Sequence, residues 1–367
     1  MNAFIKQLIP FSLVTLLVAG CGGGGSSSPP GALEAGGTGV TLEQIDDGTG
    51  TAVTVNYSAA LDVNGLNQVI GFAEVTAGNP FAASLWTVDT SGDAVVQPVA
   101  LAPLVDGQFA AAFAIDEDGR SVGQADDGTR LVAVLWANPA APVTLPQLAA
   151  TGNYAAYAIS ADGTLVVGSA MDATGATRAV IWQADGNGDF VDSPVVLPVN
   201  IFASSGVVSH FSAANGVARV DALEILVVGE AIAGNGDIHA ALWRSTDGGA
   251  GFVPVNLGVD YVANAVNSAR QVAGEADATL SPVTWTISEL GVASAPVDLA
   301  AAGSAVAINE NGRVAGWSEV AELATVWDGL TAKTLFNTAS QAYGLNNDTQ
   351  PLVVGQEGGQ GFIKRAN

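Results

Sequence analysis

The sequence predicts an all-β fold, a seven-bladed β-propeller of four-stranded antiparallel blades closed by an N-terminal strand. Three observations carry that prediction. A phrase of small residues ending in Asp, Asn or Ser, then a tight polar turn, then an apolar run closing on glycine, recurs seven times, with the closing glycines at Gly71, Gly123, Gly168, Gly229, Gly274, Gly316 and Gly355. Such self-similarity marks a repeat architecture. A tryptophan segment follows six of these glycines, at Trp86, Trp136, Trp182, Trp243, Trp285 and Trp327, with Phe362 in the same place in the last unit. Finally, no segment holds a helical period, and 45 glycines in a chain that is 49% hydrophobic fit a turn-rich β protein.

Each unit offers four short β segments separated by Gly, Asp, Asn and Ser clusters, the pattern of an antiparallel meander. The first is rich in small residues, as in Ala112-Phe113-Ala114-Ile115-Asp116, and the last is brief, as in Val143-Thr144-Leu145. A lone sheet of this kind exposes two apolar faces, so the units must stack and close on themselves. Seven first strands crowding round one axis favour small side chains, which Ala156, Ala158, Ala263, Ala265, Ala305 and Ala307 supply. Turns such as Asp116-Glu117-Asp118-Gly119 and Asn309-Glu310-Asn311-Gly312 are hairpin signals, and their acids are read as turn chemistry. The last unit stops at Asn367 without a fourth strand, and residues 39–46 have the character of the missing one.

Ahead of the repeats, Lys6 precedes an apolar run from Leu8 to Val18, a processing signal too short to span a bilayer. Its end, Leu17-Val18-Ala19-Gly20-Cys21, resembles the bacterial lipobox, which implies a lipidated Cys21 as the first mature residue. Cys21 is the single cysteine of 367 residues, so no intramolecular disulfide competes for it. The chain therefore divides into a signal peptide over 1–20, a Gly/Ser/Pro tether over 21–38 and the propeller over 39–367. Gly22 after the cysteine, by the same resemblance, implies the outer membrane of a cell that has one.

Eleven Lys and Arg against 35 Asp and Glu leave a formal charge of -24. That balance disfavours nucleic acid as a partner and an anionic membrane as an electrostatic target. Membrane attachment is expected through the lipid alone, and a protein or a glycan is the expected partner.

The phrases Ala-Ile-Asn-Glu-Asn-Gly-Arg-Val-Ala-Gly (307–316) and His239-Ala240-Ala241-Leu242-Trp243 resemble the HAF-type extracellular repeats of bacteria. Other units depart from that triplet, as in Arg178-Ala179-Val180-Ile181-Trp182. The resemblance implies a propeller-like surface or secreted protein and brings no catalytic set. His239 fills a repeat slot and reads as structural.

Candidate sites lie where the chain departs from the repeat. Asp185, Asn187, Asp189 and Asp192 alternate oxygen side chains with glycine, as a calcium loop does, but Phe190 stands where the pattern wants glycine and no Glu closes the loop, which favours a solvated hairpin. His210 and Phe211 end the long insertion of the fourth unit, a place for binding specificity or a plain surface loop. Trp317 follows Gly316 outside the tryptophan slot, as an exposed contact for sugar or protein or as edge packing. The acids recur with the turns, so the expectation is a lipid-anchored cell-envelope binding or scaffold module without catalysis. The competing expectation is an extracytoplasmic glycan hydrolase or lyase with acids at the channel mouth.

Overall fold

The computed structural model describes residues 40–46, 52–74, 80–89, 95–105, 108–200, 211–299, 302–319 and 322–366. The signal peptide, Cys21, the tether and His210 lie outside the described residues.

The described residues fold as an all-β propeller. Strand pairing gives seven antiparallel four-stranded sheets, each running in chain order from an inner to an outer strand. The inner strands are Tyr57–Val63, Ala110–Ile115, Tyr154–Ile159, Phe211–Arg219, Tyr261–Val266, Gly303–Ile308 and Ser340–Leu345. A single parallel bridge, Thr177 to Phe211, joins the third and fourth sheets into one longer path. Each inner strand touches the next, and the seventh touches the first. In the seventh sheet the outer strand is Val40–Leu42, which pairs antiparallel with Gln360–Arg365 through Val40 opposite Ile363 and Leu42 opposite Gly361. Ser58 of the first sheet ties the same junction, donating to Leu42 O and accepting from the Gly361 N–H at 2.7 Å each.

The six repeat tryptophans and Phe362 are all at most 1% exposed. Their indole N–H groups reach back to the preceding outer segment: Trp136 donates to Ala102 O at 2.8 Å, Trp182 to Pro146 O at 2.7 Å and Trp243 to Pro198 O at 2.7 Å. The tryptophan thus seals the joint between sheets while its one polar atom is satisfied. Cutting one to alanine is expected to cost about 3–5 kcal/mol.

At one end of the ring the first hairpin turns form a belt of polar links from sheet to sheet. The Asn64 amide donates to Asp116 O at 2.9 Å, Asn267 to Asn309 O at 2.9 Å and Asn309 to Asn346 O at 3.0 Å. On either side of the fourth sheet, ion pairs take over: Arg219 with Asp162 at 2.8 Å and Arg270 with Glu224 at 2.5 Å. The recurring turn residues therefore do two jobs, closing their own hairpin and fastening the neighbour.

Candidate functional site

The seven marker glycines share one cause. In every sheet the inner strand bulges opposite the glycine, and its carbonyl leans in so far that a Cβ there would meet it at about van der Waals overlap: 2.0 Å from Ala111 O at Gly123, 2.0 Å from Ala213 O at Gly229 and 1.9 Å from Ser304 O at Gly316. The bulge expels one residue per sheet from the ladder, namely Leu61, Phe113, Tyr157, Asn215, Asn264, Val306 and Tyr343. The residue after each glycine is Phe72, Gln124, Ser169, Glu230, Glu275, Trp317 or Gln356. These two sets sit where the backbone repeats, yet their chemistry does not.

They form a continuous run of side chains along neighbouring sheets. Tyr157 lies 6.3 Å from Phe113, ring to ring, and its hydroxyl is 2.9 Å from Ser169 Oγ. Burial pushes its phenol up to about 12, and the Glu230 charge beside it adds to the rise. Glu230 in turn is pushed up to about 7 by burial, with the charges of Glu275 and Asp277 acting the same way. Burial also raises Glu275, while the Ser304 hydroxyl works against the rise and Asp277 adds to it. Ser304 is the cross-strand partner of Trp317, and Trp317 meets Tyr343 edge to face at 6.2 Å. Tyr343 is raised well above the usual phenol by burial and then by Tyr57, whose own phenol burial carries to about 12. Next to Tyr57 the Gln356 side chain is 1% exposed and works against that rise, though the two make no hydrogen bond of normal length and angle.

Glu230 and Glu275 occupy one repeat position on adjacent sheets, both half-buried. Glu230, pushed up to about 7, holds its proton toward neutrality, as a general acid needs. Asp62 is a third departure. It takes the place after the bulge where the other sheets have Ala114, Ala158, Gly216, Ala265, Ala307 and Gly344. Burial brings it to about 7 even though it accepts N–H bonds from Val63 at 2.8 Å and Ile115 at 3.0 Å. That second bond crosses to the neighbouring inner strand, so Asp62 also fastens the first sheet to the second.

The residues singled out from sequence are placed as follows. Trp317 lies half-buried in the strand Val314–Ser318, at the inner run of side chains. Phe211 opens the fourth inner strand opposite Ile232, half-buried in the sheet. Asp185 binds its own turn: Oδ1 accepts from the Asn187 and Asp189 N–H groups at 2.8 and 3.0 Å, and Oδ2 from the Asn187 amide at 3.3 Å. An ion there would share those acceptors, and Asp192 is exposed outside the turn. No group of three or more metal-ligating side chains with metal-holding geometry is found among the described residues. His239 is 9% exposed, with Nδ1 3.0 Å from the Asn256 amide.

No family model matches the chain, and no curated protein matches it in sequence. Solved structures do match. A puromycin hydrolase aligns at 14% identity with a TM-score of 0.54, over 82% of this chain and 50% of its own. A Hadza microbial sialidase aligns at 11% with a TM-score of 0.49, over 90% of this chain and 68% of its own. The β-propeller domain of the Trilobed protease from Pyrococcus furiosus aligns at 11% with a TM-score of 0.48, over 84% and 94%. At such identities the likeness shows the fold, and the chain spans half of the hydrolase it matches.

One expectation is corrected. A chain without catalysis was expected because its acids track the turns, but the puromycin hydrolase whose fold it resembles is an enzyme, and Glu230 and Glu275 lie on strands away from the turns. The repeat carried the missed signal: six of the seven first turns hold a similar residue, whereas the position after the glycine differs from unit to unit.

Proposed function

We propose that this protein is a glycan hydrolase with Glu230 and Glu275 as its acid–base pair, held at the cell envelope by an acylated Cys21. The observation that supports the reading is that one repeat position on adjacent sheets holds two half-buried carboxyls, with burial pushing Glu230 up to about 7. Glu230 then gives its proton to the departing glycosidic oxygen, and Glu275, beside the Ser304 hydroxyl, serves as the base that activates water. Burial of the site strengthens each electrostatic contact with the reacting centre.

The test is the release of reducing ends from a panel of polysaccharides by the purified protein. Glu230→Gln and Glu275→Gln are each expected to lower kcat by about 100- to 10,000-fold without lowering the melting temperature. A panel that yields no product, or a variant that keeps wild-type turnover, contradicts the assignment. For the anchor, Cys21→Ser is expected to move the protein from the membrane to the soluble fraction, and continued membrane partition contradicts it.

A further inference from the structure

The two ends of the ring differ in the apolar side chains they show to solvent. The turn from the third to the fourth strand lies at the same end as the first hairpin turn, since Gln68 stands opposite Thr87 and Val88 opposite Val95. Every leucine and valine more than half exposed among the described residues lies at this belt end. Leu66 and Leu223 are in first hairpin turns, Val191, Leu290 and Leu330 in turns from third to fourth strand, and Val253 opens a fourth strand, with Leu290 reaching 87%. At the opposite end the most exposed of these residues is Val259 at 43%. A single exposed leucine needs no explanation, but confinement of them all to one end does.

Two independent observations say what this end faces. The strand Val40–Leu42 sets Val40 opposite Ile363 and Leu42 opposite Gly361, so it runs away from the Arg365 end of its neighbour, and the chain before Val40 joins the ring at the belt end. Cys21 lies about 20 residues ahead, a length whose root-mean-square reach in a Gly-rich chain is roughly 25 Å, so acylation there brings this end to the lipid at high effective concentration. The second observation is charge. Arg130 and Arg178 stand by turns between second and third strands, and the other arginines are at the belt end, in ion pairs such as Arg219 with Asp162, Arg313 with Asp328 and Arg365 with Asp348. Both signs are thus interspersed among the apolar tips, as they are in zwitterionic headgroups. Asp118, Asp247 and Glu310 add exposed acids, which turns away an anionic lipid. The tips stand on separate hairpins of the first, third, fourth, fifth and sixth sheets, an arrangement that suits a broad, yielding surface rather than one contiguous apolar patch.

Resting on the anchor at Cys21 proposed above, we propose that the belt end lies against a bilayer surface of zwitterionic headgroups, with Leu66, Leu223, Leu290 and Leu330 dipping between them. Each contact is small and the untethered chain does not hold to the membrane by them. With the tether in place they fix how the ring is oriented, and the turns between second and third strands then face away from the lipid.

Fluorescence tests this with a tether that does not depend on acylation. The full chain carries Cys21→Ser and an N-terminal hexahistidine tag, is held on phosphatidylcholine vesicles by a nickel-chelating lipid, and takes a polarity-sensitive dye at one introduced cysteine. The sites are Leu290→Cys or Leu223→Cys at the belt end and Ala278→Cys at the other end of the fifth sheet. Dye at 290 and at 223 is expected to shift to the blue and gain two-fold or more in emission when vesicles are added, while dye at 278 stays unchanged. Replacing half of the phosphatidylcholine by phosphatidylglycerol is expected to lower the gain, and Leu66→Ser with Leu330→Ser to lower it by two-fold or more at an unchanged melting temperature. No gain at 290 and 223, the result for an end that meets a protein instead, overturns the proposal, as does equal gain at both ends or a larger gain on phosphatidylglycerol. Because the tag supplies the tether, a Cys21 found unacylated by intact mass would contradict the anchor alone and leave the dye reading to decide the docking.

Discussion

The belt of turns at one end of the ring and the inner run of side chains after the marker glycines are built on the same sevenfold backbone, and they differ in what varies. In the belt, Asn64, Asn267 and Asn309 repeat one bond, an amide donated to the next turn's carbonyl at 2.9 to 3.0 Å. In the inner run the equivalent positions hold Phe72, Gln124, Ser169, Glu230, Glu275, Trp317 and Gln356, no two neighbours alike except the acids. The belt solves a problem every sheet has, fastening to the next, so one solution recurs. The inner run carries two half-buried acids, one of them pushed up to about 7 by burial, which fastening the sheets does not require.

The comparison can be broken at several points. The largest effect belongs to the backbone both regions share: Gly229→Val places a side chain about 2 Å from Ala213 O, and loss of soluble folded protein is expected, by circular dichroism and yield. A folded variant with a normal melting temperature would show that the bulge relaxes at no cost. Next is pH. Glu230 rises from 4.5 to about 7 on folding, so below pH 4.5 both states hold the proton and no cost arises. Between those values the unfolded chain gives up its proton first, and stability falls as pH rises until the loss is complete above about 7. The loss is at most about 3 kcal/mol. Glu230→Gln is expected to flatten this slope in melts from pH 4.5 to 8, with Asp62 leaving a residual slope of the same sign. An unaltered slope in the variant would place the titrating group elsewhere. In the belt, Asn309→Ala removes one cross-sheet bond and strands Asn346 O, with an expected loss of about 1–2 kcal/mol and unchanged kcat. A fall in kcat would mean that the belt is not separate from the site. Smallest is the Asp185 loop: with its oxygens already taken by its own turn, exchanging calcium for chelator is expected to leave the midpoint in place, and a rise with calcium would make it an ion site.

The sequence was most readable where the physics repeats. Glycine spacing, tryptophan spacing and the turn residues each have a reason that applies seven times, so their periodicity pointed to the sheets and to the pairing of Val40–Leu42 with the last strand. The bulge was invisible because it is a backbone event, and the alanines beside it were read as the channel lining. Ala156, Ala263 and Ala305 before the bulge are at 0% exposure, whereas Ala158, Ala265 and Ala307 after it stay half-buried. Trp317 was noticed because tryptophan stands out. Glu230 and Glu275 were passed over because a glutamate in an acidic chain attracts no notice until its neighbours are known. The burial that raises them depends on contacts between sheets that no single stretch of sequence contains.

The most direct measurement is the pH profile of glycan hydrolysis by the purified protein and by Glu230→Gln. The account predicts turnover that falls as pH rises through about 7, as the Glu230 proton is lost, and a variant reduced by about 100-fold or more that lacks this limb. Turnover in the variant equal to wild type, or the same alkaline limb in both, would contradict it.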